Sequence, residues 1–185
     1  TAILQSCDIY FYKTIQYYEL DRLAQYFRLF GFGKITGIDI GKEYKGTIPN
    51  TAYMNKRYGR FGWSKGSLLN FCIGQGEILV TPIQVFNYTN LLATKGSANS
   101  PHLVSSIKKE PKSELSLAPQ IWDRITFDMG QVISHPKGTG KNADPAIEGV
   151  EIYGKTGTAE NPHGEDHAWF IGWVQYDGRK FSIVV

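Results

Sequence analysis

The chain has 185 residues, enough to bury one sizeable core. Its formal net charge is +3, and its basic residues are dispersed, so composition gives no sign of a nucleic-acid-binding face. No apolar run is long enough to span a bilayer, and eleven Tyr and ten Phe suit a packed globular domain.

Ser6-Cys7-Asp8 precedes an apolar, aromatic run from Ile9 to Leu20, which predicts a first helix. Ser and Asp there are both N-cap types, because each satisfies a free N–H of the first turn. Asp21 to Phe30 predicts a second helix, with Asp21 as its cap and Gly31 and Gly33 as its stop. Leu23, Ala24, Phe27 and Phe30 would form its apolar face. Thr36 to Asn50 reads as loop, broken by Gly37, Gly41, Gly46 and Pro49. Tyr53 to Gly66 mixes aromatic and basic residues and reads as a surface loop packed over the domain. Stacking on nucleic acid is the rival reading, but no fold signal accompanies it.

Gly74-Gln75-Gly76 is a turn, with too few glycines and no Lys for a phosphate loop. Thr81-Pro82 opens the clearest helix, with Thr as cap and Pro at the first helical position; Gly96 ends it. The charged stretch Lys108 to Lys112 reads as a solvated loop. Ala118-Pro119 opens another helix through Ile133, where Trp122, Ile125, Met129 and Val132 share a face. Gly138-Thr139-Gly140-Lys141 imitates the end of a nucleotide-binding loop. It lacks the earlier Gly, the following Ser or Thr, and a preceding strand.

The remainder is strand-like. Asp177-Gly178 joins Ala168–Tyr176 to Arg179–Val185 as a two-residue hairpin turn. A strand carrying Lys155 would lie antiparallel beside the first of these. Helices first and antiparallel strands after predict an α+β fold. His163 and His167 stand four apart with Glu165 and Asp166 between them, but Pro162 and Gly164 argue for a loop, not a metalloprotease helix. No metal site and no cofactor is expected. Cys7 and Cys72 permit one disulfide, but their apolar and motif surroundings favour buried free thiols.

Lys155-Thr156-Gly157-Thr158 sits in the strand-like run Glu151 to Glu160. Lys-Thr-Gly on a strand is a signature of serine acyl-transferases that react with penicillin. Lys offers a cation for a substrate carboxylate. Thr adds a hydroxyl, and Gly lets an extended substrate approach the strand backbone. A bare strand-edge Lys before a turn is the bland alternative, and the strand context speaks against it.

Taken together, these stretches resemble the later part of a class B penicillin-binding protein transpeptidase domain, most closely its elongation-type group. The match is carried by Ser6-Cys7-Asp8-Ile9-Tyr10-Phe11-Tyr12, Gly31-Phe32-Gly33, Thr36-Gly37-Ile38-Asp39 and Gly46-Thr47-Ile48-Pro49-Asn50. It continues through Ile73-Gly74-Gln75-Gly76, Thr81-Pro82-Ile83-Gln84, Pro101-His102-Leu103-Val104, Gly138-Thr139-Gly140, the Lys155 to Ala159 run and Ala168-Trp169-Phe170. The order is the family's. The general motif is Ser-x-Asn; Asp8 departs from it, as members of the elongation group do.

The resemblance implies a penicillin-binding, serine β-lactamase-like fold, with an antiparallel sheet flanked by helices. It implies two-step acyl transfer: a Ser attacks D-Ala-D-Ala, D-Ala leaves, and an amine of another peptidoglycan stem peptide takes the acyl group. β-Lactams would stall at the acyl-enzyme. Ser6 would relay protons toward the leaving group, and Asp8 would position that network. Lys155 would hold Ser6, and Thr156 would bind the substrate carboxylate. Gly157 would leave room for substrate, and the Thr158 N–H would donate to the oxyanion. The implied setting is the extracytoplasmic side of the cytoplasmic membrane, reached through an N-terminal anchor outside this chain, with a membrane glycosyltransferase as partner.

The family's nucleophile lies in a Ser-x-x-Lys motif upstream of Ser-x-Asn, so residues 1–185 are expected to be the C-terminal portion of one domain, truncated at both ends. Thr1 is no natural start, and Val185 ends inside a strand-like run. Ser105-Ser106-Ile107-Lys108, its overlap Ser106 to Lys109, and Ser134-His135-Pro136-Lys137 fit the letters. The first pair reads as loop, and the last has Pro inside and Gly138 after it. A serine β-lactamase or β-lactam sensor domain, and a catalytically inactive binding module, are the alternatives.

Overall fold

A computed structural model of the chain describes residues 2–104, 111–161 and 163–185. Helices come first: α1 (Asp8–Ile15), α2 (Leu20–Leu29), α3 (Thr51–Tyr58), α4 (Ser67–Phe71) and α5 (Pro82–Ala93). A small pair, β1 (Ser97–Asn99) and β2 (Pro111–Glu114), precedes α6 (Pro119–Ser134). The chain then builds β3 (Glu151–Ala159), β4 (His167–Tyr176) and β5 (Arg179–Val184) into an antiparallel sheet in that order. The architecture is α+β, as the order of helical and strand-like runs predicts.

The first helical run is shorter than its apolar pattern. It stops at Ile15, and the Tyr17 and Tyr18 N–H groups bond three residues back in turns. Asp21 does not cap α2, which starts one residue earlier at the buried Leu20. Its carboxylate instead accepts the Thr51 N–H at 2.7 Å, at the start of α3. The aromatic and basic segment after Asn50 is not all loop. Asn50 accepts the Tyr53 N–H at 2.9 Å and caps α3, which buries Met54. Pro111–Glu114 is also not loop but strand, paired with Ser97–Asn99. Residues 105–110, with the first Ser-x-x-Lys candidates, lie outside the described residues. Ser134 ends α6 and His135 is extended, so the other candidate does not share a helical face with Lys137. The His163 segment is a turn, in which the Gly164 N–H reaches the Asn161 carbonyl. Cys7 and Cys72 are free thiols, but both are only half-buried, not buried as their surroundings suggest.

Helix α5 is the best-specified element. Thr81 and Gln84 form a reciprocal capping box with Pro82 behind it. Gln84 is buried and spends its whole amide: Nε2 donates to the Lys34 carbonyl at 2.6 Å and the Lys45 carbonyl at 2.9 Å, while Oε1 accepts the Thr81 N–H. One side chain thus ends the solvation of three backbone groups and pins the irregular 34–45 segment. That segment is pinned again where the Asp39 carboxylate accepts the Leu103 and Val104 N–H groups at 2.6 and 2.8 Å. These bonds hold the Asp39 carboxyl below the usual carboxylate range.

Helix α5 packs on β4 and β5, and α6 packs on β3. Leu92, Ala93, Trp122, Met129 and Trp173 form the shared core. Tyr153 and Trp173 face each other across the β3–β4 ladder, with ring centroids 5.0 Å apart and planes 11° apart. A second core of Ile15, Leu20, Met54, Leu68 and Phe71 joins α1 to α4. The turn at Asp177-Gly178 has positive φ at both residues, as a tight two-residue hairpin requires.

Removing the α5 cap tests this account. Thr81→Ala should cost about 1 kcal/mol, read as a lower urea midpoint with unchanged slope. An unchanged midpoint would mean that Gln84 alone holds the helix start.

Candidate active site

Strand β3 lies at the edge of the sheet, paired with β4 from Glu151↔Gln175 to Ala159↔His167. Its other side takes no strand among the described residues. Thr156 and Thr158 turn their carbonyls toward that open side. The first accepts Lys155 Nζ at 2.6 Å, and the second accepts Gln75 Nε2 at 3.1 Å. In an antiparallel ladder one residue's N–H and C=O point to the same edge. The Thr156 and Thr158 N–H groups therefore also face outward, as a row able to pair with an extended ligand.

Ser6 stands just before α1, with φ of 49° in the left-handed region. Lys155 Nζ donates a hydrogen bond to Ser6 Oγ, across 149 residues of sequence. That contact ties the helical part of the chain to the sheet edge. No side chain caps α1; Cys7 holds the cap position, and Asp8 is in the first turn, where an anion suits the helix dipole. The simple capping reading of Ser6 thus gives way to a long-range contact. Lys155 is half-buried. Burial pushes its ammonium below the ordinary lysine range, and the Asp8 carboxylate acts in the opposite sense. Ser6, Asp8 and Lys155 therefore form one electrostatic group.

A Cβ added to Gly157 would meet only Trp169 Cβ, at an ordinary 3.6 Å. Packing inside the chain does not demand glycine there. The bare position is exposed, and what it leaves free is the approach to β3 from outside. Thr158 is exposed beside it.

Two polar groups at this edge escape the motif-based reading. Gln75 reaches the Thr158 carbonyl, and Thr139 Oγ1 lies 2.9 Å from Thr156 Oγ1. Each is the middle residue of a Gly-x-Gly turn, Gly74-Gln75-Gly76 and Gly138-Thr139-Gly140. Both stretches contribute to the resemblance, yet neither side chain is expected there as a site residue; the available signal is a polar side chain presented between two glycines. Among the described residues, no group of His, Cys, Asp and Glu is arranged to hold a metal. The edge offers a buried-stem cation, two linked hydroxyls, a nearby carboxylate and outward N–H donors. Such a set suits a peptide-like ligand with a terminal carboxylate, and proton movement between Ser6 and Lys155.

Lys155 should therefore titrate below surface lysines. Between its depressed value and the ordinary one, the unfolded chain holds more protons than the folded chain, so this group makes stability rise with pH in that window. Asp8→Asn removes the opposing anion and should move the Lys155 titration further down. Amine labelling followed across pH at the Lys155 peptide checks both; a Lys155 profile that overlays exposed lysines, or an upward move in Asp8→Asn, would refute the account.

A family model described as the penicillin-binding protein transpeptidase domain matches residues 1–185. A peptidoglycan D,D-transpeptidase MrdA of Haemophilus influenzae is 34% identical over 209 aligned positions, which cover all of this chain and 32% of that protein. A solved penicillin-binding protein, PBP2, of Helicobacter pylori superposes with a TM-score of 0.89 at 32% identity, over 100% of this chain and 34% of that one. The same organism's PBP2 solved in complex with MreC gives a TM-score of 0.87, over 99% and 34%. The chain thus spans about a third of the length of the relatives it matches. With the strand order, the Ser6–Lys155 contact and a match across its whole length, the chain belongs to the penicillin-binding protein transpeptidase family.

Proposed function

We propose that this chain is part of one transpeptidase domain of a peptidoglycan D,D-transpeptidase of the elongation type, which cross-links stem peptides and is acylated by β-lactams. The Ser6–Lys155 hydrogen bond carries the reading. It joins the Ser-x-Asp and Lys-Thr-Gly motifs, far apart in sequence, at an edge able to take an extended peptide.

On this reading the acyl donor lies along β3 with its terminal carboxylate against Thr156. Gly157 lets the donor backbone come close, and the Thr158 N–H donates to the carbonyl oxygen as negative charge develops there. Ser6 and Lys155 pass a proton toward the departing D-Ala amine, helped by a lysine whose ammonium burial has made a better acid. Asp8 sets the orientation and charge of that pair. The attacking Ser, its Lys and the second oxyanion donor would come from sequence outside residues 1–185. The same setting implies a membrane-anchored protein with its catalytic domain on the extracytoplasmic side. A membrane glycosyltransferase and an MreC-like protein are the proposed partners, the latter because a PBP2 relative has been solved in complex with MreC.

In the complete protein, Lys155→Ala should slow β-lactam acylation by at least about a hundredfold, the scale of losing a key electrostatic or acid–base group. Stopped-flow acylation by a chromogenic cephalosporin measures this; a change under about threefold would leave Lys155 an ordinary strand residue. Rapid turnover of that cephalosporin, in place of a stable acyl-enzyme, would favour the β-lactamase reading.

The 185-residue chain by itself should form no stoichiometric penicillin adduct. Intact-mass measurement after incubation checks this, and a single adduct on Ser105, Ser106 or Ser134 would relocate the nucleophile to this chain.

A further inference from the structure

We infer that Gln75 is a specificity-determining residue that competes with the acyl donor's own amide N–H for the Thr158 carbonyl. The inference rests on the proposed placement of the donor along β3. The observation behind it is separate: the Thr158 carbonyl, on the open side of the strand, already accepts Gln75 Nε2 at 3.1 Å.

The outward row of β3 is therefore not uniform. Both outward carbonyls hold a donor from the chain itself, Thr156 that of Lys155 and Thr158 that of Gln75. A ligand oxygen that arrives there meets N–H groups; a ligand N–H meets a carbonyl already in use. In an antiparallel ladder, two residues that face each other as a hydrogen-bonded pair exchange both bonds, N–H to C=O each way. A donor residue whose carbonyl accepts from the Thr158 N–H thus turns its own N–H to the Thr158 carbonyl. Gln75 holds that place. Its carboxamide offers the same group that a peptide offers, and so stands in for a neighbouring strand at one position.

The turn that presents Gln75 is fixed, so it is the side chain that must give way. The Gly74 N–H donates to the Phe71 carbonyl at 3.1 Å, and the Gln75 N–H to the Asn70 carbonyl at 2.9 Å. Phe71 is buried, and a Cβ at Gly76, where φ is 74°, would stand 2.8 Å from its ring. Glycine there lets the turn lie against the core. One residue further on, the Glu77 carboxylate accepts the Tyr58 hydroxyl. The Gln75 side chain is only half-buried, so its released amide would pass to water.

Displacing Gln75 exchanges one neutral hydrogen bond for another, and the donor gains little from its N–H. The cost falls on ligands that set an amide N–H opposite Thr158. A ligand too short to reach that carbonyl leaves Gln75 where it is. With the Gln75 amide removed, the same ligand N–H makes its bond and no protein bond is lost.

The test uses the complete protein, a 6-acylaminopenicillin, and penicillanic acid, the same bicyclic lactam without the C6 side chain. Acylation constants for both are measured for wild type, Gln75→Ala and Gln75→Met, the last of which keeps the length and has no N–H. The ratio of the two constants, acylaminopenicillin over penicillanic acid, should rise about fivefold in both variants, the scale of one neutral hydrogen bond. The change should sit in the dissociation constant of the non-covalent complex. A rise in Gln75→Ala alone would make the effect one of bulk, and a flat or falling ratio would make Gln75 a bystander or a ligand contact; either result overturns the inference. Loss of a cooperative melt in both variants would overturn it too, and leave Gln75 a structural residue. A wild type that the acylaminopenicillin does not acylate would overturn the transpeptidase reading itself, and this inference with it.

Discussion

The open edge of β3 is the constraint on which the site depends. β3 spends one row of backbone groups on β4, across its full length, and leaves the other row to the Lys155 and Gln75 side chains. An unpaired edge is a hazard for most sheets because it invites pairing with another chain. Here the exposed row is short and rimmed by a cation and hydroxyls, chemistry that suits an extended, anionic partner over another sheet edge. The one-sided ladder also fixes side-chain direction, so a register slip of one residue would exchange the two faces. The Tyr153–Trp173 stack, with Trp173 buried, opposes that slip.

The helices make the edge a site. Ser6 comes from a turn before α1 in a left-handed conformation that few residues favour, and its hydroxyl ends against Lys155. The α1 end is held in turn by the Ile15, Leu20, Met54, Leu68 and Phe71 core. On the other side, α6 delivers Thr139, and the turn after α4 delivers Gln75. Three separate helical segments thus converge on one strand, each contributing a polar group. Gln84 serves the same end at a distance. By satisfying backbone groups of the 34–45 segment inside the fold, it holds an irregular stretch that has no ladder of its own.

What could be read from residues and what could not divides along local and non-local physics. The α5 start was legible because Thr81, Pro82 and Gln84 satisfy its orphan N–H groups within one turn of chain. The 177–178 hairpin was legible because Asp-Gly supplies the positive φ pair that a two-residue loop needs. α3 was overlooked although Asn50 is a good cap, because Lys56, Arg57 and the aromatics that follow hide an apolar face reduced mainly to Met54. Asp21 was assigned to the wrong helix: its residue type announces a cap, but tertiary contact decides which helix end it meets. The β1–β2 pair was missed because strands of three and four residues carry too little pattern to read.

By itself the sequence determined the α+β class, the strand that carries Lys155-Thr156-Gly157-Thr158, the sheet hairpin and the two clearest helices. These rest on periodicity, caps and turns, which act over a few residues. The ordered motifs also carried the family resemblance, and with it Ser6, Asp8 and Lys155 as candidates. Only the tertiary structure decided that Ser6 meets Lys155 and is not simply a helix cap, that one edge of β3 takes no strand among the described residues, and that Thr139 and Gln75 belong to that edge. A hydroxyl on a Gly-x-Gly turn has no preferred partner until packing brings one within reach. Contacts of that kind are chosen by how α1, α4 and α6 seat against one another and against the sheet, and no local pattern encodes them.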